Sequence, residues 1–177
     1  MIYINETINI FEGKQTLNTI EDCLFTENNS TDENVGGVIY INNFGNNLSF
    51  IRSNFTNNYG ANGAAINLIS SQTKSLMEII DCIFFENNST ELGGAIYFQT
   101  LSGNTSILRS NFINNYASNG AAIYTFSSQS NSLMEIADCT FFENNSTYNG
   151  GAIFFDTITG NTSIVRTILQ IIMRFLF

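Results

Sequence analysis

The chain has 177 residues, 44% hydrophobic and 13% aromatic, which is enough apolar material for one domain-sized core rather than a disordered tail. Its formal charge of −9, with six basic residues and no His, excludes a nucleic-acid partner, because no basic patch exists to displace counterions from phosphates. Without His there is no imidazole base, no Ser–His or Cys–His nucleophilic pair and no usual zinc site, so most hydrolase chemistry is excluded.

At the N-terminus, Met1 to Lys14 shows no basic stretch followed by an apolar one, so no signal peptide is visible in the chain as written. Ile2-Tyr3-Ile4-Asn5 resembles Ile39-Tyr40-Ile41-Asn42, as though the chain opened inside a repeat. From residue 23 a phrase recurs: Cys or Ser, any residue, Phe, two residues, Asn. It stands at Cys23-Phe25-Asn28, Ser53-Phe55-Asn58, Cys82-Phe84-Asn87, Ser110-Phe112-Asn115 and Cys139-Phe141-Asn144, with first positions 30, 29, 28 and 29 residues apart. A second phrase follows each copy: Gly36 to Ile39, Gly63 to Ile66, Gly93 to Ile96, Gly120 to Ile123 and Gly150 to Ile153.

Short runs such as Ala95-Ile96-Tyr97-Phe98 and Ser106-Ile107-Leu108-Arg109, rich in β-branched and aromatic residues and bounded by Asn, Gly and Ser, read as strands. No run of ten or more residues carries the i, i+3, i+4, i+7 spacing of a helix. Two or three short strands per 28 to 30 residues bury their faces most economically by stacking each coil on its copies. The expected fold is therefore an all-β, right-handed parallel β-helix of about six coils over residues 1–166, with 167–177 outside the regular repeat.

Stacking sets equivalent residues ~4.8 Å apart and makes each column a ladder. Cys or Ser and the Phe two residues on point inward, and the closing Asn sits at a turn where its amide can bond to neighbouring coils. The residue before each phrase gives the column Asp22, Arg52, Asp81, Arg109, Asp138, Arg166, alternating in sign, so each charge has counter-ions as neighbours and the chemistry repeats every two coils.

After Arg166 the next phrase is missing. Back-translated with A/T-rich codons, Arg166 to Met173 contains, in another frame, the codons of Asn54 to Tyr59, so a frameshift is expected there, to be tested by sequencing the locus. The apolar run from Ile164 to Phe177 is broken by Arg166, Gln170 and Arg174 and falls short of the ~20 apolar residues of a membrane span. Uncapped solenoid ends expose strand edges, so the chain alone is expected to aggregate.

The coupled phrases resemble the repeats of the chlamydial polymorphic outer-membrane proteins. Gly93 to Ile96 with Phe84 to Asn87, and Gly150 to Ile153 with Phe141 to Asn144, match that pattern fully; Gly36 to Ile39 and Gly63 to Ile66 match with one substitution each. The resemblance implies a secreted or surface-displayed, adhesin-like passenger, attached to a membrane only through other parts of its parent protein. The ligand it implies is a glycan or a cell-surface protein.

A carbohydrate-active enzyme of the pectate lyase type is the alternative, as is a degenerate gene fragment. Such enzymes need clustered carboxylates. Here Asp alternates with Arg, and Glu27, Glu86 and Glu143 are separated by Asn57 and Asn114, so like carboxylates stand ~9.6 Å apart. We accordingly assign no catalytic, cofactor-binding or metal residue and expect no cofactor. Cys23, Cys82 and Cys139, ~9.6 Å apart in one column, are too far from each other for a disulfide and read as buried fillers. Sequons at Asn88, Asn104 and Asn161 can accept glycans in a eukaryotic secretory pathway, and Tyr40, Tyr97 and Tyr124 can form an exposed binding stripe or pack.

Overall fold

A strand of three to six residues, the range found here, buries an apolar face only against neighbours. The computed structural model describes residues 2–4, 8–10, 19–30, 36–43 and 45–170, and throughout them the neighbour is the next copy of the repeat. The chain winds through four parallel sheets as a β-solenoid of about five turns, and the described residues contain no helix. The expected number of coils, about six, is slightly high.

One sheet, here the phenylalanine sheet, comprises Ile2–Ile4, Cys23–Thr26, Asn54–Thr56, Ile83–Phe85, Asn111–Ile113, Thr140–Phe142 and Ile168–Gln170. Each of its later turns leads to a short corner sheet of Tyr59–Asn62, Asn88–Leu92, Tyr116–Asn119 and Asn145–Asn149. The isoleucine sheet follows, with Ile39–Ile41, Ile66–Ser70, Ile96–Leu101, Ile123–Ser128 and Ile153–Ile158, joined at its start by Ile8–Ile10. A return sheet, Thr19–Glu21, Asn47–Ile51, Leu76–Ile80, Asn104–Leu108, Leu133–Ala137 and Asn161–Val165, closes the coil.

Register is kept by the inward side chains. Phe55 pairs with Phe25 and Phe84, and Phe112 with Phe84 and Phe141. Their buried rings form a continuous stack, with centroids 4.7 to 4.9 Å apart and planes within 7°. That spacing is the strand spacing itself, so the offset-stacked geometry favoured by aromatic rings comes without cost to the backbone. Opposite the stack lie Ile39, Ile66, Ile96 and Ile123, and on the return sheet Phe50, Ile79, Ile107 and Ile136; all are buried.

Two details differ from the sequence reading. Ile2–Ile4 does not align with Ile39–Ile41; it pairs with Cys23, Leu24 and Phe25, and Ile8–Ile10 is the segment that meets Ile39–Ile41. An Ile-x-Ile run offers two inward side chains to any column, so residue identity alone could not choose between them. At the other end, Ile168–Gln170 pairs with Thr140–Phe142, placing Leu169 in the phenylalanine column. The ladder thus runs through Gln170, and 171–177 of the expected tail lie outside the described residues.

Candidate functional site

Three backbone positions per coil have positive φ and bend the chain. The first holds the charge column, Asp22, Arg52, Asp81, Arg109, Asp138 and Arg166, with φ from 46° to 55°. The second holds Glu27, Asn57, Glu86, Asn114 and Glu143, with φ from 54° to 56°. The third is glycine, at Gly63, Gly93, Gly120 and Gly150, where a Cβ would collide with the carbonyl oxygen three residues on. The turn after each Phe is therefore made by the residue before the phrase-ending Asn, which frees that Asn to point inward.

The inward Asn residues form a saturated ladder. Asn58 Oδ1 accepts from Asn28 Nδ2 at 2.9 Å and from the Asn28 backbone N–H at 3.2 Å, and Asn58 Nδ2 donates to Asn87 Oδ1 at 2.9 Å and to Phe25 O at 3.2 Å. Asn87, Asn115 and Asn144 continue it, with amide-to-amide distances of 3.0 and 2.9 Å. Each interior amide thereby satisfies both its donors and its acceptor within the core.

The Cys/Ser column also does more than fill space. Ser53 and Ser110 donate to the carbonyls of Ile51 and Leu108, both at 3.0 Å, and their hydroxyls accept from the backbone N–H of Cys23 and Cys82 at 3.2 and 3.1 Å. The Cys82 and Cys139 thiols donate likewise to Ile80 and Ala137, both at 3.3 Å. Thr167 takes the same place above Cys139, donating to Val165 at 3.0 Å. All three cysteines are free and buried. Burial, the largest cause, pushes the Cys82 thiol up to about 11 and raises those of Cys23 and Cys139, so none is a nucleophile at neutral pH.

On the outside, the charge column resolves into bidentate pairs. Arg109 reaches Asp81 at 2.8 and 3.0 Å, and Arg166 reaches Asp138 at 2.6 and 2.7 Å. Arg52 binds Asp22 in the same way and adds Glu21. These hydrogen bonds hold the three Asp carboxyls below their usual range. Carboxylates so engaged are poor acids, bases or cation ligands, and among the described residues no three His, Cys, Asp or Glu side chains are grouped to hold a metal.

The tyrosine stripe expected from Tyr40, Tyr97 and Tyr124 is not an open surface: Tyr40 is half-buried, and Tyr97 and Tyr124 are 8% and 6% exposed. The side-chain-free glycine corner lies against it, so close that a Cβ on Gly120 would meet Tyr124 Cβ at 2.9 Å. Tyr124 donates to Asp156 at 3.1 Å, and burial together with that bond pushes its phenol up to about 12. The expected sequon residues Asn88, Asn104 and Asn161 are all exposed.

Another column was missed. The residue directly after each first phrase is Asn29, Tyr59, Asn88, Tyr116 or Asn145. These five align in register: Asn29 bridges to Tyr59, Asn88 pairs with Tyr59 and Tyr116, and Tyr116 pairs with Asn145. All five are exposed, the tyrosines by 40% and 38%. Extending the phrase by one residue in the alignment would have revealed it.

The cleft at the C-terminal end, about 250 Å³, is lined by Ala152, Ile153, Phe155, Ile164 and Leu169 with two glycines, and has no titratable group. It is the inner wall of the last turns.

Residues 81–99 and 138–156 match the family described as the Chlamydia polymorphic membrane protein (Chlamydia_PMP) repeat. No curated protein and no solved structure matches the chain. The matched stretches are the two in which both phrases are complete, so the chain is a parallel β-solenoid with two stretches similar to the Chlamydia polymorphic membrane protein repeat.

Proposed function

We propose that this chain is a non-enzymatic, adhesin-like segment of a secreted or cell-surface protein, presenting its side-chain columns to a ligand on another surface. The observation that carries the reading is the pairing of the Asp column: Asp22, Asp81 and Asp138 each bind an Arg through both oxygens, leaving ladders where a carbohydrate-cleaving solenoid needs free clustered carboxylates. The repeat match supports surface display, since the family it names is one of membrane proteins. A rigid stack of turns with outward columns suits recognition over an extended area.

The test is a cell-adhesion assay with the chain immobilised on beads, run beside turnover assays on polygalacturonate and related polymers. Retention of cells without turnover is the expected result. Turnover that is lost on replacing a solenoid carboxylate overturns the reading in favour of an enzyme.

A further inference from the structure

The column Asn29, Tyr59, Asn88, Tyr116, Asn145 differs from the Asn ladder beside it in one respect. Inside, the amides of Asn58, Asn87 and Asn115 are consumed by their neighbours; outside, the amides of Asn88 and Asn145 and the hydroxyls of Tyr59 and Tyr116 make no hydrogen bond among the described residues. Exposed aromatic rings and open amides thus alternate along a straight line. The line runs parallel to the solenoid axis, and its five positions span roughly 19 Å at the ~4.8 Å strand spacing.

From this we infer that the column binds an extended, neutral, β-linked polysaccharide of the cellulose or chitin type, laid along the solenoid axis. The inference deepens the adhesin reading and rests on it. Apolar C–H faces of pyranose rings lie on aromatic rings, and ring-edge hydroxyls take hydrogen bonds from amides. In a two-fold chain of this kind every second sugar presents the same face. The tyrosines stand two coils apart, ~9.6 Å, close to the disaccharide repeat of such a chain, so alternate sugars meet Tyr59 and Tyr116 while the sugar between them meets Asn88.

Charge narrows the choice. Glu27, Glu86 and Glu143 turn the backbone two residues before the Asn positions, and the whole chain carries −9, so uronate or sulfated polymers are repelled. The track is rigid before the ligand arrives, held by the Asn ladder beneath it, which limits the ordering cost of binding.

The experiment uses the full chain from a non-glycosylating host, co-sedimented with microcrystalline cellulose and with chitin, and run through gels containing polygalacturonate. Once aggregates have been cleared by centrifugation, the chain is expected to pellet with at least one neutral polymer in excess of a polymer-free control and to migrate unretarded through polygalacturonate. The double variant Tyr59→Asn/Tyr116→Asn, which makes the column uniform in a residue it already holds, should bind roughly tenfold more weakly, while Phe126→Ala on the isoleucine sheet leaves binding unchanged. Tyr59→Phe/Tyr116→Phe, which keeps the rings, should retain most of it. Pelleting with neither polymer, retention by polygalacturonate, or equal binding by the Asn variant overturns the inference. The bead assay on the same preparations separates the two readings: cells held without polymer binding leave the adhesin reading standing and this ligand excluded.

Discussion

Arg52 grips Asp22 through Nε at 2.9 Å and a terminal nitrogen at 3.0 Å, yet no ion pair among the described residues joins it to Asp81, one coil further on. The alternating column is therefore a series of two-coil clasps rather than an even chain of charges. Exposed clasps add little to stability, so their effect falls on alignment.

Replacing Asp81 by Arg sets three cations side by side in the column, and the transition temperature should fall by a few degrees at low salt and recover in molar salt. The swapped pair Asp81→Arg/Arg109→Asp restores that clasp but sets a like charge beside each of Arg52 and Asp138, so it should recover only part of the loss. Because the Asp carboxyls are depressed when folded, the clasps contribute fully above the ordinary carboxyl value of 3.8 and are lost as pH falls through the lower folded values. Thermal melts in acid, with and without the swap, check this.

Asn87→Ala should be far more damaging. It strips the Asn58 amide and backbone N–H of their acceptor and Phe55 O of its side-chain donor, and leaves Asn115 Oδ1 only the backbone N–H of position 87, all inside the core. At about 1–3 kcal/mol per stranded group, a loss of at least about 3 kcal/mol is expected, read as a lower urea midpoint. The neighbouring Asn88→Ala, exposed and free of such bonds, should cost less than about 0.5 kcal/mol.

The Phe, Asn and charge columns were legible because a repeat in sequence becomes a repeat in space: once residues two coils apart share a type, their column is fixed. What escaped was orientation. Of Asn87 and Asn88, one is sealed in the core and the other faces water, and the choice is made by Glu86, whose φ of 54° turns the chain just before them. Nothing about Glu announces a left-handed backbone. The same ignorance of corners made Tyr97 and Tyr124 look exposed, since a glycine turn folding down onto a ring leaves no mark on strand alternation.

Cys82 should tolerate serine, because Ser53 and Ser110 make the same bonds one coil away on either side; a cost below about 1 kcal/mol is expected. The folded thiol ionises near 11 rather than 9.0, so its contribution is complete below 9.0 and is lost as pH climbs to about 11, by roughly 3 kcal/mol. Urea midpoints across that interval should decline less in Cys82→Ser than in the parent. A thiol reagent at neutral pH should react only as fast as the chain opens.

At Gly93, with φ of 61°, alanine meets both a left-handed backbone and the carbonyl of Ile96. The backbone term alone is about 1–2 kcal/mol, and the collision must add to it. Gly93→Ala should therefore lower the urea midpoint more than Ala95→Gly, which adds only backbone freedom and a small void at a buried position.

Because Arg clasps the Asp of the preceding coil and Ser alternates with Cys in the core, the unit of inheritance for this architecture is a pair of turns. Unequal recombination that removed a single coil would bring Arg against Arg or Asp against Asp at the scar, while loss or gain of two leaves every clasp intact. Natural length variants of this protein should accordingly differ by even numbers of turns.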